Sequence, residues 1–401
     1  MANVSSSNGL EKRPKLAFRR ADGSSFPSWS RTSLSSIIEP YSEKVYGEHK
    51  YEVLTSSREG LQRQVDHFGS KQRHDTDGYN IIPLGYCTYR NRSDDGRFAF
   101  NINTISSNAI VSKFYPVFRF TNANSLFMSE FLNSSPRAKK KLSVLAVGTS
   151  QVVLSFEALK AAEFDLPCKD EQDKIASFFE CLNRRIEYQR ILVDALKKYK
   201  RGLLNQIFSA ISKGSQRRKL RELVHVSGGK TPSMSNSLYW NGDIVWISSK
   251  DMKSSRIFGS ELKITNLALN EMTLYHPGTL LLVARSGILK HSLPLAILEV
   301  DATINQDIKA LQVHGCNAFY LYYAILSQED NIIRTLVKTG TTVQSLMMDS
   351  FLNIEIPTPD IDQQQSIIDK LAKLEKYVDV QEKELSLLSQ MRNGLLQQLF
   401  I

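Results

Sequence analysis

Residues 148–208 read GTSQVVLSFEALKAAEFDLPCKDEQDKIASFFECLNRRIEYQRILVDALKKYKRGLLNQIF, and the pattern of this stretch is repeated once in the chain. The second copy occupies residues 340–400, at a constant offset of 192 positions and without a gap. Gly148 aligns with Gly340, and equivalent proline, glutamine, leucine and phenylalanine positions follow. A period this long far exceeds that of solenoid arrays, so it indicates a chain built from two large and similar halves.

The second part of each copy has the spacing of a helical seam. Apolar residues recur at alternating intervals of three and four, which is the pattern of a coiled coil. A helix from about Ile175 to Ile207 would be roughly 48 Å long. Two matching seams in one chain most simply pair with each other, and a pseudo-twofold axis between the halves makes that pairing antiparallel. The alternative is two separate amphipathic helices, each packed on its own domain. The predicted helix-pairing residues are Ile175, Phe179, Leu182, Ile186, Val193, Leu196, Leu203 and Ile207 in the first copy, and Ile367, Leu371, Leu374, Val378, Leu385, Leu388, Leu395 and Leu399 in the second.

Polar residues interrupt both seams at equivalent positions. Gln189 corresponds to Gln381, and Lys200 corresponds to Arg392. A polar residue at a seam position costs stability and is best known for fixing the register of helix pairing. We therefore expect these positions to specify how the helices align.

Composition indicates a folded protein of two or more domains, 401 residues long. No apolar run approaches the roughly 20 residues of a membrane span, and the first 15 residues lack the apolar core of a secretory signal. The four cysteines are scattered, which favours free thiols in a reducing cytosol and no zinc cluster. The net charge of +10 favours a polyanionic partner. We expect a cytoplasmic protein.

The chain divides by composition into alternating domains and helices. Residues 1–25 are rich in serine and charge, and we predict a disordered arm. Two globular segments, 26–147 and 213–338, contain short β-type runs and few helices, which is typical of α+β domains. Each is followed by a linkage and a long helix, at 148–212 and 339–401. The predicted order is domain, helix, domain, helix, with a pseudo-twofold internal repeat.

GGKT at residues 228–231 looks like the end of a phosphate-binding loop. That loop needs a glycine five positions before Gly229, where this chain has Val224. Pro232 also falls where the helix of such a loop should be under way. We therefore predict a glycine turn that displays the lysine and threonine after a short strand.

Other enzyme motifs have little support. Asp251, Glu261 and Lys263 are residue types of a metal-dependent nuclease, but such triples arise by chance in a chain with many acidic residues. A polar segment contains potential metal ligands, but without a defined spacing it is more simply a solvated loop. Its members are His67, His74, Asp75 and Asp77. No methyltransferase motif and no Ser-His-Asp or Cys-His arrangement stands out, so we predict a non-catalytic chain without a metal.

DNA recognition has better support. Both globular segments place basic, hydroxyl and amide side chains in predicted loops, and these side chains reach phosphates and base edges. Arg285 stands out because it follows an apolar strand and precedes Gly287 in a turn. Any one of these residues alone is more often an ordinary surface residue. The candidates are Ser56, Ser57, Arg58, Gln62, Arg63, Arg90, Arg92 and Lys113 in the first segment, and Lys230, Thr231, Ser248, Ser249, Lys250, Arg285, Ser286, Asn305 and Gln306 in the second.

Several strings of the sequence also match a known family. In the second half they are SGGKTPS (227–233), NGDIVWISSKDM (241–252), HPGTLL (276–281), ARSGI (284–288) and ATINQDIKA (302–310). In the first half they are VLTSS (53–57), GLQRQ (60–64) followed by Phe68, and VSKFYPVF (111–118). Together with the repeat and the helices, they make the chain resemble the specificity subunit of a Type I restriction-modification enzyme.

That family joins each domain to its helix through a Gly-Thr segment, a proline and a Glu-Gln-x-x-Ile string. The first copy has GTSQ (148–151), Pro167 and EQDKI (171–175), and the second has GTTVQ (340–344), PTP (357–359) and QQQSI (363–367). The departures are mild. Gln363 stands where the first copy has Glu171, and Cys168 follows a single proline in the first linkage.

The resemblance implies a subunit without catalytic activity of its own. Each target-recognition domain of the family reads one half of an asymmetric, bipartite target in double-stranded DNA, and the paired helices set the gap between the halves. Two methyltransferase subunits, which use S-adenosylmethionine, and two restriction subunits, which use ATP and Mg²⁺, assemble on it. This chain is then expected to carry no cofactor. Two other functions remain open from the residues alone: a scaffold that binds nucleic acid without sequence preference, and a nuclease built on Asp251.

Overall fold

The computed structural model describes residues 16–69, 75–338 and 343–400. They form two compact units, which are considered separately. The first unit comprises the described residues of Met1–Arg190 and Glu384–Ile401, and the second comprises those of Ile191–Lys383. Each unit contains one mixed α and β domain and a part of each long helix, so the predicted α+β class is confirmed. The predicted boundaries assigned each helix to a single segment, whereas the units divide both helices between them.

The first unit is built on two small sheets. One has the strand order β2-β10-β6-β8, and the other has the order β4-β3-β9-β5, in which β3 and β9 are parallel. Separate two-stranded ladders join β1 to β12 and β7 to β11. The strands are β1 (Ser30–Ser33), β2 (Ile38–Tyr41), β3 (Glu52–Ser57), β4 (Gly60–Arg63), β5 (Asn80–Ile81), β6 (Cys87–Tyr89), β7 (Arg92–Ser93), β8 (Phe100–Ile102), β9 (Ala109–Val111), β10 (Val117–Phe120), β11 (Val152–Val153) and β12 (Glu163–Leu166).

Short helices accompany both sheets. They are α1 (Gln64–Phe68), α2 (Ser125–Ser134), α3 (Pro136–Leu145) and α4 (Phe156–Lys160). Helix α2 packs on β8 and β10 of the first sheet, α3 packs on α2 and α4, and α1 packs on β3 and β4 of the second sheet. The Asn124 side chain caps α2 by accepting a hydrogen bond from the Phe127 amide at 3.0 Å. Ser135 caps α3, whose first residue is a proline and so lacks an amide that would need a partner. Tyr89, Phe118 and Phe127 are fully buried between sheet and helices and form the centre of the core.

The first described residues are ordered, contrary to the prediction of a disordered arm over 1–25. Leu16 and Phe18 pack against the core of the first unit, and the Leu16 amide donates a hydrogen bond to the Gln398 carbonyl at 3.3 Å. Arg19 forms an antiparallel bridge with Ser25. Two apolar residues thus anchor a segment whose composition alone predicted disorder. Residues 1–15 lie outside the described residues.

The second unit contains a five-stranded sheet of order β14-β21-β18-β19-β16 and a three-stranded sheet of order β17-β15-β20. Two-stranded ladders join β13 to β24 and β22 to β23. The strands are β13 (Arg217–Lys219), β14 (Val224–Gly228), β15 (Trp240–Ile247), β16 (Arg256–Ile257), β17 (Leu262–Ile264), β18 (Leu280–Val283), β19 (Leu295–Leu298), β20 (Ala302–Ile304), β21 (Ile308–Val313), β22 (Val337–Lys338), β23 (Ser345–Leu346) and β24 (Glu355–Pro357).

One central strand and one apolar helix organise the core of the second unit. All four residues of β18 are buried, and β18 pairs with β19 and β21 on its two sides. Helix α7 reads AFYLYYAIL, and its residues 320–325 are all buried. A helix that is apolar on every side belongs inside a core. The short helices are α6 (Asn266–Leu269), α7 (Ala318–Leu326), α8 (Glu329–Leu336) and α9 (Met348–Phe351).

The two long helices are α5 (Lys169–Ile211) and α10 (Ile361–Leu399). Both helices begin before the first predicted seam residue. Their first turns are polar and contain no seam position, so the apolar spacing did not indicate them. Asp170 and Glu171 lie in the first turn of α5, where negative charge suits the positive end of the helix dipole. No helix in the described parts of the chain combines the length and apolar composition of a membrane crossing.

Helix pairing is antiparallel within each unit. In the first unit, Asn183 of α5 contacts Arg392 of α10 at 2.5 Å, whereas the later Arg185 contacts the earlier Glu384 at 2.7 Å. In the second unit, Lys197 pairs with Glu382 and Lys200 pairs with Glu375. Residue numbers thus rise along α5 while those of the partners fall along α10, as predicted.

The predicted seam residues are all at least half-buried. Those that are buried are Ile175, Phe179, Leu182, Ile186, Val193, Ile367, Leu371, Val378 and Leu399, and those that are half-buried are Leu196, Leu203, Ile207, Leu374, Leu385, Leu388 and Leu395. The helix ends also join the domain cores. Phe179 belongs to the core of the first unit, and Leu371 belongs to that of the second. Pairing between helices and packing on a domain therefore occur together, although the sequence presented them as alternatives.

A repeated glutamine joint explains one conserved feature of the two copies. Gln172 donates a hydrogen bond to the Pro167 carbonyl at 2.9 Å and accepts one from the Asn124 amide at 2.9 Å. The second unit has the same two bonds, from Gln364 to the Pro359 carbonyl and from the Asn317 amide to Gln364, each at 2.9 Å. Since both asparagines cap a domain helix, each joint fixes the start of a long helix to its neighbouring domain.

Candidate nucleic-acid interface

Two parallel strands bring candidate residues of the second unit to one sheet edge. β15 and β20 run side by side in parallel, with Ile247 opposite Ile304 at their ends. Ser248 and Asn305 follow these two strands directly, and the Asn305 amide donates to the Ile247 carbonyl at 2.9 Å. Ser249, Lys250 and Gln306 continue from the same two strand ends. Candidates that are far apart in sequence therefore lie together.

The glycine turn after β14 joins the same edge. The Lys230 amide donates to the Ile304 carbonyl at 3.0 Å. A Cβ atom at Gly229 would lie 1.9 Å from that carbonyl oxygen, so only glycine permits the approach. The Thr231 hydroxyl donates a hydrogen bond to the Gln306 side-chain oxygen. The GGKT string is therefore a glycine turn that carries exposed Lys230 and Thr231 to the end of β20, and no helix follows it directly.

Arg285 lies beside this group. It follows the buried strand β18, and the amide of the preceding Ala284 donates to the Asp307 carbonyl at 2.8 Å. Arg285 also forms an antiparallel bridge with Ser345, and its side chain is exposed. Ser286 is half-buried and caps the short turn that follows, accepting a hydrogen bond from the Ile288 amide at 3.4 Å. We call the exposed residues Lys230, Thr231, Lys250, Arg285 and Gln306 the second recognition surface.

Two predicted contact residues of this unit have structural roles instead. Asn305 is buried, and its side-chain oxygen accepts a hydrogen bond from the Asp307 amide at 3.2 Å. The Ser248 hydroxyl donates to the Asp251 carboxylate at 2.7 Å. Both hold the loops in place. The prediction that Asn305 faces DNA is wrong because its side chain is buried, whereas Ser248 is half-buried with its hydroxyl bonded to Asp251. Ser249 is half-buried in the same turn.

Asp251 also organises this turn. One carboxylate oxygen accepts hydrogen bonds from the Ser248 amide and hydroxyl, and the other accepts one from the Glu261 amide at 3.1 Å. Glu261 and Lys263 are exposed on the chain that leads into and along β17. The nuclease alternative needs a carboxylate that is free to bind a metal, and the two oxygens of Asp251 are already used.

Ser56 of the first unit is buried. The Asn101 side-chain amide donates to its hydroxyl at 2.8 Å and to the Ser57 carbonyl at 2.9 Å. The prediction that Ser56 contacts DNA is wrong, because the hydroxyl faces inward from β3. Ser57 closes the β3–β4 hairpin by donating to the Gly60 carbonyl at 3.0 Å.

Three further candidates of the first unit have partners within the domain. Arg58 pairs with Asp95 at 2.6 Å, and Arg63 pairs with Glu52 at 2.6 Å. Hydrogen bonds from Ser93 and the neighbouring guanidinium of Arg58 keep the pKa of Asp95 below its usual value, so this carboxylate stays charged. Gln62 lies 2.8 Å from a ring nitrogen of His67. These ion pairs lower the positive charge that the hairpin offers to a polyanion.

The remaining candidates of the first unit surround an exposed aromatic ring. Phe114 is 54% exposed, the Arg92 guanidinium lies 5.5 Å from its ring centroid, and the Lys113 ammonium lies 5.7 Å from it. Arg90 is also exposed, and it lies close to Tyr115, the residue after Phe114. Burial raises the pKa of Tyr115, and the positive charge of Arg90 partly offsets that rise. We call Arg90, Arg92, Lys113 and Phe114 the first recognition surface. Phe114 was not predicted, although it lies between a lysine and a tyrosine in a turn.

Two of the possible metal ligands in the first unit, Asp75 and Asp77, stabilise a loop by accepting hydrogen bonds from backbone amides. The Asp75 carboxylate accepts a hydrogen bond from the Asp77 amide at 3.0 Å, and the Asp77 carboxylate accepts one from the Gly47 amide at 2.8 Å. His74 lies outside the described residues. Within residues 16–69, 75–338 and 343–400, no three His, Cys, Asp or Glu side chains are grouped so that they could hold a metal ion.

Comparison with known proteins gives one family. The model of the Type I restriction modification DNA specificity domain matches twice, over residues 39–197 and 212–390. Among curated proteins, the chain is 32% identical over 221 residues to the Type I restriction enzyme EcoR124I/EcoR124II specificity subunit of Escherichia coli, covering 52% of this chain and 55% of that protein. It is 29% identical over 190 residues to the MjaIX specificity subunit of Methanocaldococcus jannaschii, covering 46% and 43%. The matched regions span about half the length of these relatives.

Solved structures share the fold. The S subunit of a Type I restriction-modification system from M. genitalium superposes with a TM-score of 0.60 at 16% identity, covering 97% of this chain and 99% of the other. A chain from a structure of a type I restriction-modification system superposes with a TM-score of 0.55, also at 16% identity, covering 94% and 98%. At this level of identity the likeness extends to the fold alone.

Proposed function

The chain belongs to the family of Type I restriction modification DNA specificity domains, and on that premise we propose that it is the DNA-recognition subunit of such a complex. It binds an asymmetric, bipartite target in double-stranded DNA. Two methyltransferase subunits and two restriction subunits assemble on it. The observation that carries this proposal is that the four loops of the second recognition surface, which follow β14, β15, β18 and β20, meet around residues 304–307 between β20 and β21.

The chemistry of the second recognition surface suits base readout. Arginine and lysine recognise guanine in the major groove, and glutamine recognises adenine by paired hydrogen bonds. The surface offers Arg285, Lys230 and Lys250 as cations and Gln306 as an amide. Thr231 holds the Gln306 side chain by its oxygen, which leaves the amide nitrogen of Gln306 able to donate. Cations of this surface reach phosphates as well, which supplies affinity without sequence preference.

The first recognition surface differs in kind. Its exposed ring and flanking cations favour stacking and phosphate contact over amide readout. Two domains with dissimilar surfaces would read dissimilar half-sites, so the target is asymmetric. The repeated helices and glutamine joints, in contrast, present similar surfaces to two copies of the same partner. We propose that the methyltransferase subunits dock there, and that the helix pair fixes the gap between the half-sites, as the spacing of dimeric DNA binders does.

We assign no catalytic step to this chain. Its residues bind and orient DNA, and the methyl transfer and cleavage belong to partners that use S-adenosylmethionine, ATP and Mg²⁺. The net charge of the chain is +10, and the exposed cations of the two surfaces are the groups that would contact a polyanionic partner. The protein then acts where the chromosome is, in the cytoplasm of a bacterium or archaeon.

Methylome sequencing tests the proposal directly. Cells expressing the chain with its cognate methyltransferase subunit should contain N6-methyladenine in a two-part motif with a fixed gap. In a matched variant, Arg285→Ala, recognition of one half-site should be weaker and methylation of the target should fall. The complex with the methyltransferase subunits should still assemble. New methylation without a two-part motif would contradict the proposal. Binding that is equal on all sequences and vanishes with salt would favour the scaffold function instead.

A further inference from the structure

A second concave site lies in the first unit, apart from the recognition surface. It is a pocket of about 630 Å³, formed by the first described segment, the β1–β12 ladder and the end of α10. Its walls are rich in aromatic side chains, among them Phe18, Phe26, Trp29, Phe164 and Phe400. Rings of this kind form the walls of pockets that bind small or cationic groups.

A buried carboxylate faces this aromatic pocket. Glu171, from the first turn of α5, is among the lining residues and is 5% exposed. The Trp29 side chain donates a hydrogen bond to it. The second carboxylate oxygen, Oε2, is buried and has no hydrogen-bond partner among the residues that the structure describes. A buried acceptor without a partner is costly, more so when it is charged.

Most of the other charged groups that line the pocket have partners: the Arg19 guanidinium donates to the Gly23 carbonyl at 3.1 Å, and Asp165 lies 3.9 Å from Arg31. Arg31 pairs with Glu163 at 3.2 Å, and Lys141 donates to the Glu163 carbonyl at 2.7 Å. Arg137 is exposed to solvent at the rim. None of these contacts reaches Glu171, whose pKa is raised by burial. The pocket therefore combines aromatic walls with a buried acid that forms no ion pair among the residues that the structure describes.

We propose that this pocket binds a flat organic cation, an amidinium or guanidinium group, with Glu171 as its counter-ion. An N–H of the cation donates to the Glu171 carboxylate, whose side chain turns slightly to present an oxygen to the pocket, while the rings hold the flat face of the cation. A delocalised cation of this type is weakly hydrated, so it loses less on leaving water than an ammonium does. The ligand is either a free small molecule or an arginine side chain of a protein partner. DNA recognition does not require this site.

The second copy of the repeat supplies an internal comparison. Gln363 occupies the position equivalent to Glu171. Its side chain is exposed, and its backbone N–H donates a hydrogen bond to the Asp360 side chain at 2.8 Å. The cavity at the corresponding place in the second unit is lined by polar residues such as Arg217 and Glu355, with Phe208 as its aromatic member. The acid occurs only where the walls are aromatic. Glutamine is tolerated at this position by the fold, which makes Glu171→Gln a suitable test.

Fluorine NMR of the full chain labelled with 5-fluorotryptophan provides the measurement. The chain has three tryptophans, and Trp29→Phe assigns the pocket signal. Benzamidine should shift the Trp29 signal saturably and leave those of Trp240 and Trp246 in place. Glu171→Gln should weaken benzamidine at least tenfold. Neutral benzamide, of the same shape, should bind the parent at least tenfold more weakly than benzamidine and should not distinguish parent from variant.

Equal benzamidine affinity in parent and variant, or a Trp29 signal that never moves, would overturn the proposal. Because Trp240 and Trp246 belong to the second unit, folding of the first unit in the variant is checked by parent-like hydrogen–deuterium exchange of the α2 and α3 peptides. The two sources of the cation are separated by repeating the titration on the chain purified together with its partners. A site that is open in the free chain and blocked in the complex indicates a partner's arginine. A site open in both indicates a free small molecule.

Discussion

Lys200 is a charged residue within the helix seam, and its partner is buried. Its ammonium pairs with Glu375 of α10, whose other oxygen accepts a hydrogen bond from the Tyr323 hydroxyl at 3.0 Å. The Lys200 side chain is 23% exposed and that of Glu375 is 9% exposed. We predict that Lys200→Met destabilises this part of the second unit, because it leaves the Glu375 carboxylate buried without a counter-charge.

Removing one member of a buried ion pair costs about 3–5 kcal/mol. Because roughly a quarter of Lys200 already reaches solvent, we expect a smaller loss of about 2–4 kcal/mol here. A second change, Glu375→Gln, removes the charge and keeps an acceptor for Tyr323. The double variant should therefore regain at least half of the loss, since a neutral pair needs no counter-charge.

Hydrogen–deuterium exchange of the α5 peptide around Lys200 measures the local opening free energy without assuming that the chain unfolds in one step. The predicted loss corresponds to about 30- to 1,000-fold faster exchange, at 1.4 kcal/mol per factor of ten. Arg185→Met is the matched control: its pair with Glu384 is 62% and 37% exposed, and it should lose less than about 1 kcal/mol. Equal effects of Lys200→Met and Arg185→Met, or a double variant no better than the single one, would refute the reasoning.

Three further changes test the recognition surfaces. Arg285→Ala should weaken binding to one half-site by about 1–3 kcal/mol, and an equal loss on all DNA sequences would instead mark a phosphate contact. Lys113→Ala should lower the slope of log affinity against log salt by about 1, as measured by fluorescence anisotropy, and an unchanged slope would exclude a phosphate contact. Gly229→Ala should push the turn off the Ile304 carbonyl and lower the melting temperature, and parent-like melting would contradict the close approach.

The periodic parts of the fold were readable from the sequence. A repeated three-four spacing depends only on which faces of a helix are apolar, so the seam and its antiparallel pairing could be predicted from Ile175 to Leu399. The sequence showed that the glutamine of the joint is identical in the two copies, but it did not show what the glutamine binds. Gln172 bonds to a proline carbonyl and to the cap of a domain helix 48 positions away. Sequence spacing carries no information about such a contact.

The positions of the loops that carry the candidate residues were predicted in outline and not in detail. Strand ends followed by polar residues indicated the loops around Arg285 and Lys230 correctly. Burial of Ser56 and Asn305 depends on which way a side chain points from a strand end, and a one-residue change of register reverses it. The ion pair of Arg58 with Asp95 joins a hairpin to a loop 37 positions away. Phe114 was missed because an exposed ring in a turn has no periodic signal.

The seam cations of the two copies obtain their acids from different places. Lys200 finds its carboxylate, Glu375, on the opposite helix, whereas Arg392 contacts Asn183 on the opposite helix and pairs with Glu130 of α2, inside the first domain. A chimaera with a different second domain would keep the ion pair between Lys200 and Glu375, because both residues lie on the long helices. A chimaera with a different first domain would lose Glu130, the partner of Arg392, unless the incoming domain supplied a carboxylate at that place. Transplanting the first domain therefore calls for a carboxylate at position 130, or for Asn183→Asp in the recipient.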